Sequence, residues 1–136
     1  MEVVIDSNVL FRTLISKGEI LKLFFNRKLK IFAPLKLKEE FIMHKEEILA
    51  KSKLSEDKFD KFFILLFKRI NFIPLEEYIS FIPKAKQLLD KHEKDVDFVA
   101  LCLSKNIKLW TYEKLFFNMG FAITTKQISE KIESEK

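Results

Sequence analysis

The chain has 136 residues, 48% of them apolar, a formal net charge of +5 and a single cysteine. That is enough apolar material for one packed domain, and it excludes an internal disulfide framework. No apolar run is long enough for a transmembrane helix, and no basic stretch followed by an apolar one opens the chain, so neither a membrane anchor nor a signal peptide is expected. The lone thiol, Cys102, lies in an apolar run and reads as a core residue of a protein in the reducing cytoplasm. Fifteen Phe against two Gly and three Pro predict an aromatic interior with short connections. The basic balance is compatible with nucleic-acid binding without requiring it.

Val3-Val4-Ile5 reads as a buried strand, stopped by Asp6, with Ser7-Asn8 positioned to begin a helix over 7–15. Ser16-Lys17-Gly18 breaks that helix, and a second short one follows over 19–27. A strand over 30–33 leads to Pro34, which suits a first helical turn, and the pattern predicts one helix over 35–50. Ser55 and the acids after it start a helix reaching Arg69, and Asn71-Phe72-Ile73 reads as a third strand before Pro74. A helix is predicted over 78–91, an apolar one over 96–104, a strand over 107–111, a short helix over 114–118 and a last strand over 121–124. Residues 127–136 read as a polar tail or a fraying helix, leaving 1–126 as the domain. Strands alternating with helices predict an α/β fold, a three-layer sandwich around a central parallel sheet.

The acids fall in a pattern. Asp6 closes the first strand, Asp95 begins the apolar helix, and Glu113 follows the strand ending at Thr111. These are strand–helix junctions, the edge where a doubly wound sheet binds ligands. Glu40 lies on the helix after the second strand, one turn in from Pro34, and could lean over that edge. Each acid also has an ordinary role: Asp6 and Asp95 as helix caps, Asp97 as a first-turn dipole partner, Glu40 as a solvated helix residue, Glu113 as a turn residue. If they do cluster, their mutual repulsion calls for a hard cation such as Mg²⁺ or Mn²⁺. Asp97 is a further candidate, but two helical residues rotate it about 200° from Asp95, which favours Asp95 as the ligand.

Four stretches, in order along nearly the whole chain, resemble the acidic motifs of PIN-domain ribonucleases, including toxin-like members of the VapC type. They are Val4-Ile5-Asp6-Ser7-Asn8-Val9-Leu10, the segment from Pro34 to His44 around Glu40-Phe41, the run from Lys94 to Leu103, and Leu109-Trp110-Thr111-Tyr112-Glu113-Lys114. The resemblance implies a PIN fold and metal-dependent cleavage of RNA to 5′-phosphate and 3′-hydroxyl ends. It gives Asp6, Glu40 and Asp95 the main metal-binding places and Glu113 the fourth, with Ser7, Asn8 and Thr111 orienting carboxylates or waters. It also implies a homodimer and, for a toxin, an antitoxin partner. Two positions depart from the family pattern: Glu113 stands where Asp is usual, and Asp97 where Pro or an apolar residue is common.

The leading expectation is therefore an endoribonuclease carrying Mg²⁺ or Mn²⁺, possessing RNA as substrate and the role of a toxin in a toxin–antitoxin pair. The alternative is a catalytically decayed PIN-like module that binds RNA or protein. A response-regulator-like domain ranks last, because no acid stands at the end of the third strand. His44 and His92 are candidate bases, although a metal-activated water needs neither. Lys91, Lys94, Lys105, Lys108 and Lys114 are candidate phosphate contacts, and Tyr112, Phe116 and Phe117 candidate stacking surfaces, with packing the commoner role for the last two.

Overall fold

The computed structural model describes residues 1–15 and 18–135. Ser16 and Lys17, part of the break expected after the first helix, lie outside the described residues. In chain order the elements are β1 (Glu2–Ile5), α1 (Ser7–Ile15), α2 (Glu19–Phe24), β2 (Lys30–Pro34), α3 (Leu35–Met43), α4 (Lys45–Ser52), α5 (Glu56–Lys68) and β3 (Ile70–Ile73). Two 3-10 turns, Leu75–Glu77 and Ile79–Phe81, precede α6 (Ile82–Leu89), and a third, Glu93–Asp95, precedes α7 (Val96–Lys105). The chain then forms β4 (Lys108–Trp110), α8 (Lys114–Asn118), β5 (Ala122–Ile123) and α9 (Thr125–Ser134).

The strands form one parallel sheet in the order β3-β2-β1-β4-β5. Every crossover carries helix, as the alternating pattern requires. From β1 the chain steps outward to β2 and β3, then returns to place β4 on the other side of β1. The direction of winding reverses there, so the right-handed crossover rule sends the later helices to the opposite face. On that face α7 lies across β1, β2 and β4, and its Phe98 to Cys102 segment is buried throughout. Strands covered on both faces should read as continuous apolar runs, and Val3, Val4 and Ile5 are fully buried.

Much of the phenylalanine content forms one stack. Phe59, Phe63, Phe67 and Phe72 follow one another with ring centroids 5.5, 4.1 and 5.4 Å apart, tying α5 to β3. Arg69, at the end of α5, donates to the carbonyls of Phe24, Asn26 and Leu29 and so fastens the turn between α2 and β2.

Two helices differ from expectation. The single helix over 35–50 is broken at His44, whose φ of −100° and ψ of 18° leave helical geometry. The break lets α3 pack on β2 and β3 while α4 turns onto α1. The helix over 78–91 starts only at Ile82, because Pro83 has no amide hydrogen and fits only the first turn. Residues 127–134 belong to α9, opened by a capping box between Thr124 and Gln127. Its Ile128 and Ile132 are buried, and it packs on α2. Ile128→Ala should therefore lower unfolding stability by about 2–4 kcal/mol in denaturant titration, the usual cost of emptying a core site. A change below about 0.5 kcal/mol would show that α9 contributes nothing to the core.

Candidate functional site

The site begins where β1 ends. Asp6 donates its amide to the Trp110 carbonyl (3.0 Å), completing the β1–β4 ladder, while its own carbonyl accepts from Val9 and Leu10 (3.1 Å each) and starts α1. Its side chain thus stands at the reversal point of the sheet, and it is only 2% exposed. A carboxylate so buried needs donors. Oδ2 accepts from the Thr111 hydroxyl at 2.6 Å, and Oδ1 from Ser7 at 3.4 Å. Thr111 is itself fully buried, and its hydroxyl oxygen accepts from the Glu113 amide at 3.1 Å. The Glu113 carboxylate in turn accepts from the Asn8 side-chain amide at 3.1 Å. Residues at the start of α1 and the end of β4 are cross-linked through both acids.

Asp95 completes a group of three. It ends the 3-10 turn before α7, in the cap position, yet its side chain makes no capping hydrogen bond. Burial raises its pKa, and the negative charge of Asp6 raises it further; His92, Lys36 and Lys94 pull the other way. Glu113 is also raised, first by burial, then by Asp6 and Asp95, against the Asn8 hydrogen bond and His92. Asp95 and Glu113 are thus raised by burial first and then by the negative charge of Asp6, so negative charge is gathered here without full compensation. Beneath them the Cys102 thiol is pushed up by burial and by Asp6.

A family model described as a PIN domain matches residues 4–133. The chain belongs to the PIN-domain family. Searches of curated proteins and of solved structures gave no match. PIN domains are generally nucleases that bind RNA and use Mg²⁺ or Mn²⁺. No helix among the described residues is long and apolar enough to cross a membrane.

The other two candidate acids of this PIN domain stand in different surroundings. Glu40 is exposed on α3 and borders a cavity together with Ser7 and Asn8, the residues that donate to Asp6 and Glu113. Among the described residues no three acids, histidines or cysteines converge closely enough to hold a metal ion as they stand. Asp97 has both oxygens engaged elsewhere: Oδ2 accepts from the Tyr78 hydroxyl at 2.6 Å, and Oδ1 meets Lys36 Nζ at 3.2 Å. Tyr78 is 1% exposed, and burial, then Asp97, drives its phenol pKa up.

Neither Tyr78 nor Lys36 is among the site candidates that the sequence singles out. Lys36 carried a usable signal, since it precedes Glu40 by one helical turn on the same face; Tyr78 carried none. Two candidate phosphate contacts lie at the wrong end of the sheet. Lys108 opens β4 and reaches the Gly120 carbonyl, and Lys105 closes α7 with its Nζ 4.2 Å from the Phe32 ring centroid. Phe116 is buried. Tyr112 is part-exposed, with the Arg12 guanidinium 4.6 Å from its ring centroid and its hydroxyl bonded to Thr125.

Because its pKa is raised on folding, Asp95 binds its proton more tightly in the folded chain than in the unfolded one. Its contribution to stability is therefore best at low pH and falls as pH rises through the folded value. Chelator-treated Asp95→Asn should be at least as stable as the parent at about pH 7.5, with the difference closing near about pH 4, in melts across that range. A variant markedly less stable at the higher pH would contradict the repulsion described here.

Proposed function

We propose that this PIN domain is a divalent-metal-dependent endoribonuclease, with Asp6, Asp95 and Glu113 holding Mg²⁺ or Mn²⁺ and Glu40 closing in from α3. The observation that carries the proposal is that Asp95 and Glu113 are both raised by burial and then by the charge of buried Asp6, at the edge where Thr111 and Asn8 hold Asp6 and Glu113. The donor set fits such a cation: hard oxygens, net negative, at the carboxyl edge where the sheet reverses. A bound divalent ion supplies Lewis acidity toward a phosphate oxygen and lowers the pKa of a bound water. The chain's own part is orientation. Thr111 fixes the free lone pairs of Asp6, and Asn8 fixes those of Glu113. Lys36, engaged with Asp97 and acting on Asp95, keeps a positive charge at the α3 side of the rim. The toxin role, an antitoxin partner and a homodimer belong to the same proposal and rest on the resemblance of the motifs, and a cytoplasmic location rests on the lone Cys102. Asp97, committed to Tyr78 and Lys36, is better suited to placing Lys36 than to binding metal.

One observation favours a second reading. Glu40 stands exposed and no three ligating groups converge among the described residues, which suits a decayed module that binds RNA or protein without cutting it. Metal separates the two readings. Mn²⁺ at about one hundred times its Kd should stabilise a working site by about 2.7 kcal/mol, a shift of the order of 10 °C in a thermal melt. Asp6→Asn should abolish both that shift and RNA cleavage while leaving the metal-free fold intact. Thr111→Val should retain cleavage reduced about 10–100-fold, the usual cost of losing a group that orients a metal ligand. Cleavage by Asp6→Asn at the parent rate would refute the nuclease reading, and absence of any Mn²⁺ effect would favour the decayed module.

A further inference from the structure

An open cavity of about 210 Å³ lies where α1, α3 and α4 meet, beside the carboxylate rim. It exists because the chain breaks at His44, which turns α4 onto α1. Phe11 and Phe41 line its inner side, and His44, Glu47 and Lys51 its outer side. Asn8 lines it too, and the Asn8 amide holds Glu113, so cavity and rim share a wall. Phe41 is 7% exposed while Phe11 is only half-buried, and Lys51 Nζ stands 5.4 Å from the Phe11 ring centroid. Glu47 belongs to the first turn of α4, exposed, with Oε1 3.4 Å from His44 Nδ1.

Aromatic walls with a mixed polar rim suit a flat, neutral, heteroatom-rich ring. They suit a phosphate badly, because Glu40 and Glu47 both border the opening. Among the RNA bases only guanine sets two adjacent donors, N1–H and N2–H, beside the acceptors O6 and N7. One carboxylate takes the donor pair, and a cationic side chain takes the acceptors. We propose that this cavity is a guanine-binding subsite flanking the bond to be cut, with Glu47 receiving the donor pair and Lys51 facing the acceptors. The proposal takes its ligand class from the nuclease reading, but its test does not need cleavage.

The test is titration of the full chain with GMP, IMP and CMP, followed by amide chemical shifts in NMR. GMP should move Asn8, Phe11 and residues 44–51, and bind about fivefold more tightly than IMP, which lacks the N2 donor, and more tightly than CMP. Glu47→Gln should weaken GMP by about tenfold and remove the GMP–IMP difference, and Lys51→Ala should weaken both purines. Both side chains are exposed, so neither change threatens the fold. Equal affinity for GMP and CMP, shifts centred elsewhere such as Tyr112, or unchanged discrimination in Glu47→Gln overturns the subsite. A chain that prefers GMP here yet cuts no RNA keeps the subsite and loses the nuclease reading. A chain that cuts RNA without this preference does the reverse.

Discussion

The bond between Thr111 and the Asp6 carboxylate joins residues 105 positions apart and is the contact on which the rim depends. Burying a charged carboxylate costs several kcal/mol unless donors meet it, and here Thr111, just past β4, and Ser7 supply them. β4 lies beside β1 because the sheet reverses its winding there. The same hydroxyl oxygen takes the Glu113 amide, so a single threonine sets both the orientation of Asp6 and the path of the chain leaving β4.

Around that bond the electrostatics are deliberately incomplete. α7 is anchored by a buried segment from Phe98 to Cys102, which leaves Asp95 little freedom to move away from Asp6. Lys36, Lys94 and His92 relieve Asp95 in part, and His92 and Asn8 relieve Glu113, yet both of these carboxyls still hold their protons more tightly than ordinary ones. A protein gains no stability from such an arrangement, which is the pattern found where a site uses negative charge. Asp97 shows the contrast: two residues further on, the same side chain is answered fully by a tyrosine and a lysine.

The helix break at His44 has the largest consequence of any local departure from regular structure. Phe41 and Ile48 are seven residues apart, as on one face of a continuous helix, and both are buried. α3 packs on the sheet while α4 packs on α1, and both side chains line the cavity between them. The cavity beside the rim is the space left by that turn.

The sequence by itself determined which segments alternate as strand and helix, that the sheet is parallel, and that Asp6 and Glu113 stand where a strand gives way to a helix; Asp95, expected at a third such junction, instead follows α6 and a 3-10 turn at the start of α7. Those properties follow from hydrophobic period, turn residues and the acid placed after an apolar run, all of which act over a few residues. Residues 114–118 were legible as a helix for the same reason. Only the tertiary structure decided that His44 interrupts its helix, that Tyr78 and Lys36 claim Asp97, that Glu40 is exposed at the cavity between α1, α3 and α4, that Lys105 and Lys108 face the far end, and that the polar-looking final segment buries Ile128. Each of these turns on which elements become neighbours, and that depends on strand order and crossover hand, which no local spacing encodes.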